Sequence, residues 1–247
     1  MRLGNEPVVF IPISDDNPLR SIRFQWVTAG LIVANTLVFL LTVVEPGSTN
    51  AASFAVIPRE LFKVGIVGGN AAGPLDALQV PEGLTLLTYM FLHGDIFHLF
   101  SNMLFLWVFG DNVEDALGHA RYLGFYIACG IAGGFAHAVM QPASGLPLIG
   151  ASGAVAGVIG AYLLLHPRVL VWVLAFRFIP LKIPAAVVLG IWVVTQFLML
   201  AVKQTDGQEV AWWAHIGGLT CGVVLVIFLR RPGVDLFDRR LRRADAA

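Results

Sequence analysis

The stretch LPLIGASGAVAGVIGAY, residues 146–162, decides how this chain is to be read. Ser152 opens an apolar helix over 152–165 that is about 21 Å long at about 1.5 Å per residue, against about 30 Å of bilayer hydrocarbon. If its inner end reaches the membrane surface near His166-Pro167-Arg168, Ser152 lies up to about 10 Å below the opposite surface. The preceding loop, residues 141–150, then has to dip into the membrane. Irregular backbone is tolerated at such depth only where it lines protein or a wet cavity. A serine placed there either packs, bonding the carbonyl four residues back, or faces that cavity as a nucleophile.

The chain has 247 residues, 57% hydrophobic and 13% charged; soluble domains carry about a quarter charged residues, so lipid is its main solvent. The formal net charge of zero argues against nucleic acid as a partner. Cys129 and Cys221 both fall in apolar segments and read as small hydrophobes, and no metal-ligand spacing or cofactor motif is present. Six apolar segments, 26–44, 96–116, 121–140, 152–165, 183–202 and 210–229, approach the roughly 20 residues a crossing needs. These predict an all-α membrane protein, a six-transmembrane-helix bundle with a short central fourth helix. One domain over 26–229 accounts for all six, with an N-terminal segment 1–25, a long first loop over about 45–95 and a basic tail over 230–247. No internal repeat interrupts it.

Lysine and arginine set the orientation. Arg20 and Arg23 precede the first span, Arg121 follows the second, Arg168, Arg177 and Lys182 follow the fourth, and Arg230, Arg231, Arg239, Arg240, Arg242 and Arg243 follow the sixth. The opposite side carries Arg59, Lys63 and Lys203. Both termini are therefore expected in the cytoplasm. The first span starts too deep for a cleaved signal peptide, and the compact chain without a leader points to a prokaryotic plasma membrane. The long loop mixes Phe54-Ala-Val-Ile57 and Leu61-Phe62 with Pro58, Gly68-Gly69, Gly73-Pro74 and Pro81, and is expected to lie partly in the outer leaflet.

Depth brings distant residues together. His215 is about five residues into the sixth span, roughly 7 Å deep, and Asn102 about six into the second, roughly 9 Å. His98 and Asn102, four apart, share a helical face. Singly, His215 reads as a packing histidine and His98 with Asn102 as an interhelical polar clasp. Jointly, Ser152, His215, Asn102 and His98 reach one level on the outer side. Intramembrane histidines are costly and tend to be functional. Small-residue stripes, Gly153, Gly157 and Gly160 on one helix and Ala211, Gly218 and Gly222 on another, allow the close approach that a serine–imidazole hydrogen bond needs.

Three blocks, HGDIFHLFSNMLFLWVFGDNVEDALG from His93, GASGAVAGVIGAY from Gly150 and AHIGG from Ala214, resemble the rhomboid intramembrane serine proteases in order and spacing, from about Trp26 onward. The resemblance implies a dyad of Ser152 as nucleophile and His215 as general base. It places the oxyanion site at the side chains of Asn102 and His98 and the Ser152 N–H, with Gly150 and Ala151 shaping the turn. His93 is implied to be structural, and Glu114 and Gly118 to hold the inner end of the second helix by hydrogen bonds. Two departures stand out. Ala156 occupies a place where many rhomboids carry an aromatic ring against the catalytic histidine, which leaves His215 either less firmly held or supported by Trp212 or Trp213. The Trp-Arg pair of the family's first loop is here Leu84-Thr85. The implied substrates are single-pass membrane proteins, admitted from lipid beside the second span and the fifth, which carries Gln196 and Phe197. Two rivals remain at this point. One is a silent client-binding relative, although such relatives usually lack the Ser or the His. The other is a small transporter, although those often place broken helices at the midplane.

Overall fold

The computed structural model describes residues 11–44, 49–66, 68, 69, 78–175, 179–201 and 211–237. Arg177, Lys203, the Gly73-Pro74 turn, the start of the sixth predicted span at Val210 and most of the basic tail lie outside them. Helix α1 spans Trp26–Val44, α2 Pro58–Val64, α3 Glu82–Thr88, α4 Ile96–Leu117, α5 His119–Met140, α6 Ser152–Leu165, α7 Ala185–Ala201 and α8 Trp212–Leu229. Four of these, α1, α4, α5 and α8, are long and apolar enough to cross a membrane, and α6 and α7 are shorter apolar helices. Leu41, Phe97 and Phe228 sit exposed on the outside of the bundle, as lipid-facing side chains do.

Local chemistry explains the boundaries. Asp95 caps α4, its carboxylate accepting from the N–H groups of Phe97 and His98 at 2.8 and 2.9 Å. A single residue separates α4 from α5. Gly118, at φ +86°, breaks the chain direction, and its N–H donates to Glu114 O at 2.7 Å. Glu114 is fully buried and accepts from Val27 N (3.0 Å), Thr28 N (2.8 Å), Thr28 Oγ1 (2.7 Å) and His119 Nδ1 (2.5 Å), so one carboxylate ties the start of α1 to the α4–α5 corner. Asp115 does the same for the chain leading into α1, accepting from the N–H groups of Arg20, Ser21 and Ile22.

Helix α6 is buried along almost its whole length and packs against α4, α5 and α8. The contacts with α8 are backbone to backbone. A Cβ on Gly218 would stand 1.8 Å from Gly153 O, and one on Gly222 would stand 2.1 Å from Gly157 O. Only glycine fits at those two positions, which is what the small-residue stripes anticipated.

The expectation of an all-α chain is corrected by a three-stranded antiparallel sheet in the order β1 (Ile11–Asp15), β2 (Leu170–Ala175), β3 (Ile179–Pro184). Strand β2 alternates, with Val171, Val173 and Ala175 buried, a period of two that a search for apolar spans averages away. The fifth predicted span consequently starts late: Ile183 and Pro184 finish β3, and α7 begins at Ala185. Asp15 fixes the sheet to the helices by accepting from Tyr162 Oη of α6 and from Asn112 Nδ2 of α4. Burial pushes the Asp15 carboxyl up from the usual aspartate value, and the Tyr162 hydrogen bond opposes that rise. Part of the long first loop is packed rather than free: Ala55, Val56, Ile57 and Leu61 are buried, while Phe62 and Ile66 stay exposed.

Candidate active site

The site is assembled at the α4, α6, α7 and α8 ends nearest the 141–150 loop. Ser152 is the first residue of α6 and His215 lies one turn into α8. His215 Nε2 and Ser152 Oγ are 2.9 Å apart. The other ring nitrogen, Nδ1, is 2.7 Å from Gln196 Oε1 on α7. A neutral amide oxygen only accepts, so Nδ1 carries the proton and Nε2 is left as the acceptor for the serine hydroxyl. The ring is also braced edge-on by Trp212 at 5.9 Å and by Trp192, tilted, at 5.8 Å. With Ala156 buried in α6, support for the imidazole comes from α7 and α8 instead. Of the two tryptophans named from the sequence, Trp212 makes this ring contact. Trp192 and the inward turn of Gln196 were not anticipated. Gln196 is 3% exposed, whereas Phe197 beside it is 51% exposed and faces outward. The signal for Gln196 was present: an amide side chain in an apolar helix needs a partner.

Gly150 has φ +123°, and a side chain there would come within 2.7 Å of the His98 ring, so both backbone angle and space require glycine. Its N–H donates to Tyr89 O at 2.9 Å, anchoring the loop before the serine. Ala151 is buried and its carbonyl accepts from Val155 N, closing the first turn of α6. The first N–H groups of a helix have no carbonyl behind them and carry partial positive charge. Asn102 is 6% exposed, and its Nδ2 has no hydrogen-bond partner among the described residues. His98 stacks edge-on against His93 at 5.0 Å. Asn102 and His98 thus line one cavity with the serine at the α6 N-terminus, and the Asn102 amide has a donor to spare among the described residues.

A cavity of about 440 Å³ joins these groups, lined by His98, Asn102, Ser152 and His215 together with His137 of α5 and an apolar wall that includes Phe105 and Trp192. Gly153, Gly157, Gly218 and Gly222 lie behind it, in the α6–α8 contact. His93 is not among the residues lining the cavity; its ring packs against that of His98. Leu84 and Thr85 belong to α3, where Thr85 is buried and its hydroxyl donates to Glu82 O. Among the described residues, no group of three His, Cys, Asp or Glu side chains converges as a metal would need.

Residues 81–232 match the Rhomboid domain, which covers α3 through α8. The chain belongs to the rhomboid family. It is 30% identical over 213 residues to Rhomboid protease GluP of Bacillus subtilis (strain 168), across 86% of this chain and 36% of that protein. It is 29% identical over 174 residues to the mitochondrial Rhomboid protein 1 of Saccharomyces cerevisiae, across 67% of this chain and 47% of the other. RHOMBOID-like protein 1 of Arabidopsis thaliana is 28% identical over 236 residues, 88% of this chain and 57% of the plant protein. The rhomboid chain thus spans between about a third and somewhat over half of the length of these relatives. Family membership and the apolar helices together make it a multi-pass membrane protein.

Proposed function

We propose that this rhomboid is an intramembrane serine endopeptidase, with Ser152 as nucleophile and His215 as general base. The observation that carries the reading is the 2.9 Å contact between Ser152 Oγ and a His215 ring whose tautomer Gln196 sets. As Oγ attacks the scissile carbonyl, its proton passes to His215 Nε2, which then protonates the leaving amine. The oxyanion forms among Asn102, His98 and the Ser152 N–H; one such donor is typically worth about 2.7–4 kcal/mol.

In this reading α1, α4, α5, α6, α7 and α8 are six crossings of one domain over 26–229, with segment 1–25 and tail 230–247 in the cytoplasm of a prokaryotic cell and the site near the outer face of the plasma membrane. The substrates are single-pass membrane proteins. Their chain reaches the cavity sideways from lipid, between Phe105 on α4 and Trp192 on α7, and unwinds there because a helix hides its carbonyls in internal hydrogen bonds. The chemistry requires neither metal nor organic cofactor.

The test is fluorophosphonate labelling of the purified protein in lipid, comparing wild type with Ser152→Ala and His215→Ala. Labelling and peptide cleavage that need both residues are expected, with the Ser152→Ala protein melting as wild type does. A folded, accessible wild type that takes no label would overturn the reading in favour of a silent client-binding rhomboid.

A further inference from the structure

The end of α6 away from Ser152 opens on a second cavity. His166 follows the 14 residues of the helix, about 21 Å from the serine at about 1.5 Å per residue. It lines the cavity together with Arg20 and Ser21 of the chain leading into α1, Asp115 near the end of α4, and Arg231 and Asp235 beyond α8. The volume is about 250 Å³. Pockets for drug-sized ligands start at about 300 Å³, so this one suits an ion or a small headgroup. It shares no lining residue with the catalytic cavity.

Two arginines stand in its wall, and local sequence explains one of them. Arg231-Pro232-Gly233-Val234 is a type II turn: proline presets the second position, Gly233 takes φ +87°, and Val234 N–H donates to Arg231 O at 3.1 Å. Arg231 N–H donates to Ala116 O at 2.8 Å, which fixes the turn beneath the α4–α5 corner. Its guanidinium lies against Gly118, where a Cβ would stand 2.6 Å from Nη2. Of five N–H donors, it places one, Nη1, in a long 3.4 Å bond to Ser21 O, beside Arg20. Other cations at this end are occupied by the protein: Arg230 donates to Val234 O and Ile227 O, Arg168 to Phe237 O and Lys182 to Asp16. Arg20 and Arg231 pair with no carboxylate among the described residues. The Asp115 carboxylate is already met by three backbone N–H groups, at 2.6, 2.7 and 3.1 Å, and Asp235 is likewise engaged.

We propose that this cavity binds a phosphate group, carried by an anionic lipid head or by a small soluble phosphate compound, with Arg20 and Arg231 as its ligands. A guanidinium meets phosphate oxygens through parallel N–H···O bonds, and its rigid fork suits that geometry better than an ammonium does. Two such cations in one wall repel each other until an anion lies between them. The occupant ties the chain before α1 and the turn after α8 to the inner ends of α4 and α6, the helices that carry Asn102 and Ser152. In the proposed topology this end faces the cytoplasm, where both sources of phosphate are at hand. The site does not depend on the Ser152 chemistry.

The experiment is thermal unfolding of the full chain in an uncharged maltoside detergent. One titration uses inorganic phosphate, with ionic strength held constant by chloride; the other uses dioctanoyl phosphatidylglycerol, with dioctanoylglycerol as the neutral control. The melting temperature is expected to rise about 3 °C or more once ligand exceeds Kd about tenfold. A rise with inorganic phosphate alone identifies a soluble compound, and a rise with the lipid alone a headgroup in its leaflet. A rise with both identifies a site that reads the phosphate itself, and each of the three supports the proposal. Arg20 is exposed, so Arg20→Gln keeps the fold and should weaken binding about tenfold, as should Arg231→Gln. Arg230→Gln, which loses only bonds to backbone carbonyls, should bind as wild type does, each shift being read against the same variant without ligand. Ser152→Ala should also respond as wild type does. No rise with either ligand, a rise that dioctanoylglycerol matches, or one that Arg20→Gln and Arg231→Gln leave unchanged would overturn the proposal, as would an equal loss in Arg230→Gln.

Discussion

Gly218→Ala is the sharpest perturbation of the architecture that holds the candidate site. A Cβ at this position would lie 1.8 Å from Gly153 O, 2.7 Å from Gly153 C and 3.2 Å from Gly153 Cα. All three are backbone atoms, so no rotamer change relieves the collision. Carbon contacts are comfortable at about 3.5 Å, so relieving the 1.8 Å contact takes up to about 1.7 Å of separation between α8 and α6. Gly218 is three residues from His215 and Gly153 is next to Ser152, so the separation falls on the reacting pair. The 2.9 Å contact would open to about 4 Å, beyond hydrogen-bond reach. Misplacement of about 1 Å costs on the order of 100-fold in rate, and overpacking costs about 1–3 kcal/mol of stability. The assay is fluorophosphonate labelling rate beside thermal unfolding in lipid. Gly190→Ala on α7 is the control, since nothing lies within 4 Å of the added carbon. A Gly218→Ala protein with wild-type labelling and an unchanged melting temperature would refute the argument that this contact sets the geometry.

Gln196→Leu removes the acceptor for His215 Nδ1; cleavage should fall about tenfold or more while Gln196→Glu, which keeps an acceptor, retains most of it. Equal rates for both variants would mean that the tautomer is held by something else. Glu114→Ala leaves the two buried Thr28 donors and the part-buried Val27 N–H unpaired, while the half-exposed His119 ring can turn to water, and should cost about 3 kcal/mol, read as a lower melting temperature. Burial, helped by the charge of His98, pushes the His93 imidazole down to about 4. Between that value and the unfolded value of about 6.5, the unfolded chain binds more protons than the folded one, so this contribution to stability is lost as pH falls. Melting temperature should therefore drop less steeply from pH 7 to pH 4.5 in His93→Gln than in wild type; parallel slopes would count against it.

The apolar helices were legible because a bilayer imposes a length and a composition on the segments it accepts; four of them are long enough to cross, and α1 and α6 begin and end where hydropathy alone places them. Ser152, His215, Asn102 and His98 were legible for a related reason. Depth in a membrane is counted along the chain, so residues on separate helices can be compared by level without a structure. The α4–α5 corner was only half visible: Glu114 and Gly118 stood out, but that Glu114 grips Val27 and Thr28 depends on which helix packs beside it. The strands were missed because Leu170–Ala175 is apolar enough to pass for the continuation of a span, and pairing with Ile11–Asp15 joins segments more than 150 residues apart.

What the sequence determined by itself is therefore one-dimensional: which segments lipid accepts, where glycine is required, and which polar residues share a level. Rotation of each helix about its own axis is not written in depth or composition, because lipid treats all apolar faces alike. Tertiary packing decided that Gln196 turns inward to His215 while Phe197 turns out, that Trp192 replaces a ring missing at Ala156, and that α5 brings His137 behind the serine. The last of these follows from close backbone contact at Gly133, Gly153 and Gly218, where the absence of side chains lets α5, α6 and α8 approach and fixes which of their faces meet.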